Sequence, residues 1–211
     1  IVIIFRVVFG RANAPGIGGY VAPIAALFVG GAPMLLVELS ASSRSEIPPI
    51  HDISTDTQNP PQFSAALIDR RGPDANPVHS AGTTVREDSR YPQWAGRPLP
   101  EVQAEAYPEI QPMDFAVEPA LVYEAALNTA RDMGWKVGTE SEAAGMFEAT
   151  DTSFWFGFKD DVVVRVTALE DGGSRVDARS VSRVGVSDLG ANAARLEAFE
   201  TRLRSSLGEG A

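Results

Sequence analysis

Two hydrophobic periods succeed one another in the C-terminal half of the chain. After Pro119, the residues Val122, Ala126, Ala130 and Met133 recur at fours and threes until Gly134. That is the spacing of one amphipathic helix, with proline tolerated in its first turn and glycine at its end. The period then drops to two. Strands are expected over 135–141, over 146–158 with a bend at Thr152-Ser153, over 161–169 and over 175–183, separated by turns at Glu142 to Gly145 and at Asp160-Asp161. Asp188 suits the N-cap of a last helix in which Leu189, Leu196, Phe199, Leu203 and Leu207 share one face and Gly208 closes the end. The order helix, strands, helix predicts an α+β fold of two layers over 107–208, an antiparallel four-stranded meander with both helices on one face.

The third and fourth strands also divide by parity. Val162, Val164 and Val166 alternate with Val163, Arg165 and Thr167, while Val176, Ala178 and Ser180 alternate with Arg175, Asp177 and Arg179. A slip of one residue would place the apolar set against the charged one. The expected register sets Val164 against Ser180, Val166 against Ala178 and Arg165 against Arg179. Two guanidinium groups directly opposite each other repel, so an exposed ladder of Arg165, Asp177, Arg179 and Arg183 is a candidate anion site. The competing reading is a solvated ladder with Asp177 between its arginines.

Ahead of this body the pattern is lost. From Ile47 to Tyr107 prolines, glycines and asparagines interrupt every period. Residues 41–106 therefore read as a strap, its start at 47–68 docked through Ile50, Ile53, Phe63 and the Ala65 to Ile68 run, with a mobile middle near 72–100. Residues 17–37 (IGGYVAPIAALFVGGAPMLLV) carry no charge, and as a helix they would extend roughly 31 Å, about the thickness of bilayer hydrocarbon. The segment 1–40 thus reads as a membrane anchor truncated at its start, contacting the bilayer through 17–39. A signal peptide cleaved near Ser40-Ala41-Ser42 is the alternative. Arg6 and Arg11 before the run, against Arg44 beside Glu38 and Glu46 after it, orient the chain beyond residue 40 outside the cytoplasm.

Composition narrows the chemistry. Eighteen basic against 28 acidic side chains give a net charge of -10, the wrong sign for nucleic acid. Without cysteine, and with only His51 and His79, thiolate zinc sites and His-based triads are improbable, and no motif calls for a metal or cofactor. His51, Asp52 and Asp56 read as a local turn more simply than as a metal site. The segment GVSDLGAN (185–192) precedes a helix but lacks a P-loop lysine, so Asp188 is assigned to capping. Trp155 differs in parity from Phe154, Phe156 and Phe158 and is placed on the outer face or edge.

PPIHDISTD (48–56), NPPQF, AYPEIQP, ARDMGW, FWFGFKDDVVVRV (154–166) and VDARSVSRVGVSDLGANAARL (176–196) closely resemble the bacterial DUF1499 family over roughly 47–207. The resemblance implies a membrane-associated domain and supplies no catalytic residue. The function expected is a non-enzymatic binding or scaffolding module of the bacterial envelope, recognising a protein or a small anion. The alternative is a hydrolase or transferase using Asp160, Asp161 or Asp188 on a substrate held by arginines.

Overall fold

The structure, a computed structural model, describes residues 47–88, 90–153 and 157–209. The chain divides into two units, 1–47 and 48–211, and every described helix and strand belongs to the second. The expected membrane segment, and the placements of Phe154, Trp155 and Phe156, lie outside the described residues. Among those described, no helix is long and apolar enough to cross a membrane.

The class is α+β, as the periods predict. The described elements run β1 (Asp52–Ser54), α1 (Ala65–Arg71), α2 (Leu99–Ala106), β2 (Met113–Phe115), α3 (Pro119–Asp132), β3 (Lys136–Ser141), β4 (Met146–Thr152), β5 (Lys159–Ala168), β6 (Ser174–Ser182) and α4 (Ala191–Ser206). Strands β3 to β6 form the expected antiparallel meander, but the sheet has six strands and not four. β1 and β2 both pair with the outer edge of β6, at opposite ends. Three residues are too few to display a period, which is why neither short strand stands out in the sequence.

Helix α3 opens with Pro119 and closes in a Schellman motif. The amide of Trp135 donates to the Ala130 carbonyl at 3.0 Å, that of Gly134 to Arg131 at 2.9 Å, and Gly134 takes φ 80°. The motif turns Trp135 back into the core, where its ring stacks on Phe199 of α4 at 5.3 Å. Both helices cover the sheet face carrying Phe147, Val162, Val164, Val176 and Ala178. Helix α4 starts later than expected. Gly190 takes φ 84° ahead of it, and Asp188 serves from outside the helix, accepting from the amides of Gly190 and Asn192 at 2.9 Å each. Leu189, expected on the apolar face, is consequently 51% exposed.

The register of β5 against β6 differs from expectation by two residues. Val164 opposes Ala178, Arg165 opposes Asp177 and Arg179 opposes Val163. A slip of two preserves the face of every side chain, so hydrophobic parity cannot detect it. The choice falls to the charges, and Arg165 against Asp177 is the attractive pairing. The turn between β4 and β5 also moves. Asp160 and Asp161 lie within β5, which begins at Lys159, and β4 ends at Thr152.

The polar face of the sheet is not an open ladder. The strap crosses it, with Leu67 of α1 packed there and Arg71 buried beside it. Farther along, Val85 and Trp94, inside the stretch expected to be mobile, enter the main core. Gln103 of α2 finishes the sheet edge: its side-chain amide accepts from the Ser54 amide at 3.0 Å and donates to the Ser54 carbonyl at 2.6 Å, occupying groups that would otherwise form an open edge.

Candidate functional site

The four residues named from the sequence lie on one sheet face, and each of the three arginines has a carboxylate. Arg179 is buried and forms a bidentate pair with Asp52, Nε to Oδ1 at 2.8 Å and Nη2 to Oδ2 at 2.7 Å. It also donates to the carbonyls of His79 at 2.7 Å and Pro61 at 3.3 Å, both in the strap. Arg165 pairs with Asp177 at 2.8 Å and reaches Asp56 at 3.5 Å and the Asn59 carbonyl at 2.9 Å. These contacts hold the strap to the sheet. Arg165 and Arg179 therefore do not face each other across an exposed ladder, and the repulsion that motivated an anion there is absent.

Arg183 is placed differently. Asp161, fully buried, accepts from Arg71 Nη1 at 2.6 Å and from Arg183 Nε and Nη2 at 2.8 Å each, while Thr150 Oγ1 lies 2.8 Å away. One carboxylate against two guanidinium groups leaves one positive charge. The bond to Asp161 pushes the Arg183 pKa up, and burial pulls that of Arg71 down.

This cluster borders an open cleft of about 320 Å3 between α1 and the β3–β4 edge, lined by Leu67, Arg70, Lys136, Glu148, Lys159 and Arg183 among others. The pairing explains how the lysines meet. Lys136 opposes Thr150 and Lys159 opposes Thr152, so β4 sets both on one face. They are the only two lysines in the chain. Arg70 is brought in over Gly138, where the β3–β4 register shifts; a Cβ there would stand 3.3 Å from its Nη1. Such irregularities are frequent beside functional sites. Glu148, the acidic group of the lining, is committed elsewhere, its carboxylate accepting from the amide and hydroxyl of Ser64 at the start of α1. Arg70, Lys136 and Lys159 have no carboxylate partner among the described residues. In a chain of net charge -10, the cleft carries an excess of positive charge: Arg70, Lys136 and Lys159 stand against the single carboxylate of Glu148, and Arg183 is paired with Asp161.

Sequence reasoning named Arg183 and missed the other three. The available signal was the placement of the two lysines, one at the start of β3 and one at the start of β5, which a correctly paired meander brings to one face.

The carboxylates weighed for catalysis are engaged. Asp160 pairs with Arg195 at 2.5 Å on the helix face, opposite to Asp161, as strand alternation requires. Burial raises the pKa of Asp188, which caps α4. The two histidines lie together, rings 4.6 Å apart. His79 Nδ1 is 3.6 Å from Asp52 Oδ2, and burial pushes the His79 pKa down to about 4. No group of three or more potential metal ligands occurs among the described residues.

Comparison with known proteins gives a family. The profile of "Protein of unknown function (DUF1499)" matches residues 52–203. No curated protein matches. A solution NMR structure from Thermobifida fusca is similar at 12% identity and a TM-score of 0.34, covering 46% of this chain and 92% of its own.

Proposed function

The chain belongs to the DUF1499 family, and from that premise we propose that its described body is a non-enzymatic binding module for a small anion, tethered to the bacterial inner membrane by residues 17–39 and facing the periplasm. The observation that carries this reading is the cleft in which both lysines of the chain stand with Arg70, none of the three ion-paired with a carboxylate among the described residues, beside the Arg183–Asp161 pair. The candidate set thereby shifts. Arg183 keeps its place from the sequence reading, whereas Arg165, Asp177 and Arg179 act at a distance by fixing the strap from which α1 and Arg70 project. Carboxylate catalysis is less well supported, because Asp160, Asp161 and Asp188 are occupied by arginines or backbone amides.

A ligand that binds only the folded state raises stability by mass action. Inorganic phosphate should therefore raise the melting temperature of the unit 48–211 in a saturable manner. Lys136→Gln with Lys159→Gln should remove that response while leaving the unliganded melting temperature near the wild-type value. A response equal in both proteins, or none in the wild type, refutes the reading. An activity reporter fused after Ala211 tests the topology, and activity on the cytoplasmic side alone refutes it.

A further inference from the structure

The β6–α4 connection, 183–190, presents three large apolar side chains to solvent: Val184 at 50%, Val186 at 36% and Leu189 at 51% exposure. Apolar residues in a loose loop would turn inward, but this loop is pinned. Asn76 donates from its amide to the Arg183 carbonyl and from Nδ2 to the Gly185 carbonyl, both at 2.7 Å. The Ser187 hydroxyl donates to the Pro48 carbonyl at 3.3 Å, and the Asp188 amide to the Ile50 carbonyl at 3.2 Å. Leu189 has φ 55°, the one positive φ outside glycine among the described residues. A leucine held in that region stores strain, which clusters at functional sites; here it accompanies outward display of an apolar side chain.

Two further observations indicate what the loop meets. Val184 and Phe158 line a groove together with Arg183 and Lys159, and those two cations also line the basic cleft. Apolar display and positive charge are therefore contiguous, the combination by which interfacial elements hold anionic membranes. The loop also lies where the chain enters the body, since Pro48 and Ile50 are its partners. In the tethered reading, ten residues, 38–47, join the uncharged run to that point.

We propose that this loop docks on the bilayer surface, Val184, Val186 and Leu189 entering the interface while the basic cleft takes the phosphate headgroup of an anionic phospholipid. The proposal rests on the anion-binding reading above and names the ligand as a lipid.

The chain has no cysteine, so single cysteines can be introduced at Val184, at Val186 and, as a control, at Leu121, an exposed apolar residue on α3. The full chain, labelled with an environment-sensitive fluorophore, is reconstituted in nanodiscs of phosphatidylcholine with or without phosphatidylglycerol. With phosphatidylglycerol, labels at 184 and 186 should shift to the blue and be quenched by spin-labelled lipid, the label at 121 should do neither, and Lys136→Gln with Lys159→Gln should reverse the shift. Solvent-like emission at 184 and 186 in both lipids overturns the docking. Equal burial in both lipids, or burial insensitive to the lysine substitutions, overturns the headgroup assignment. A phosphate response in melting without any membrane signal separates failure here from failure of the anion-binding reading.

Discussion

Replacing Arg179 by alanine asks whether the polar sheet face is a solvated ladder or a buried clasp. The side chains of Arg179 and Asp52 are 2% and 4% exposed, and their two charge-assisted bonds are accompanied by bonds to the strap carbonyls of His79 and Pro61. Removing one partner of a buried pair leaves an uncompensated charge and costs about 3–5 kcal/mol, whereas a surface substitution stays within roughly 0.5 kcal/mol. In urea unfolding of the unit 48–211, with a slope of about 2 kcal/mol/M, the midpoint should fall by roughly 1.5–2.5 M. Asp52→Leu combined with Arg179→Met should recover much of the loss, because replacing both charges by packed apolar groups removes the stranded charge. The double variant should be more stable than the sum of its single variants implies, and amide exchange in the strap should accelerate most in the single variants. A midpoint within about 0.25 M of wild type, at that slope, would refute the clasp and restore the solvated ladder.

Lowering the pH should expose His79. Its folded pKa of about 4 lies below the ordinary 6.5, so the unfolded chain binds a proton first as pH falls; stability is full above 6.5 and declines toward 4, by at most about 3 kcal/mol. His79→Gln should flatten that part of the stability profile, and parallel curves for the two proteins would contradict it. Asn192 is fully buried, accepting from Ser180 Oγ and Arg195 Nη1 at 2.6 Å each and donating to Ser182 Oγ at 2.9 Å. Asn192→Ala strands several of these groups and should cost about 2–3 kcal/mol in the same urea assay. Gly145→Ala combines φ 61° with a Cβ 2.3 Å from the Val166 carbonyl oxygen and should destabilise strongly, whereas Gly157→Ala, where among the described residues no atom beyond its chain neighbours lies within 4 Å of the Cβ, should lose only about 1–2 kcal/mol from its backbone angle; equal effects would show that the close approach is unimportant.

The meander and its two helices were legible because each element is long enough to show its period and is closed by a residue with a conformational reason, such as Pro119 before α3 and Gly134 after it. β1 and β2 were not, because their pairing is specified by a partner more than fifty residues away on β6. The register failed for a sharper reason. Parity fixes the face of Arg165 and Arg179 but not their opposition, and only Asp177 and Asp52 show where each belongs. Charge alone made the arginines look like the site. In the fold Arg165 and Arg179 are paired with Asp177 and Asp52, while Lys136 and Lys159, far less conspicuous in the sequence, have no ion-pair partner among the described residues.

Because the chain has only two lysines, reductive methylation with 13C-formaldehyde, which keeps their charge, reports on the cleft through two lysine NMR signals. Titrated with inorganic phosphate at constant ionic strength, both signals should move along one saturating curve, and Lys136→Gln should remove one signal and weaken the response of the other. Signals that stay fixed, or that drift without saturation as they do with chloride, would contradict an anion-binding cleft.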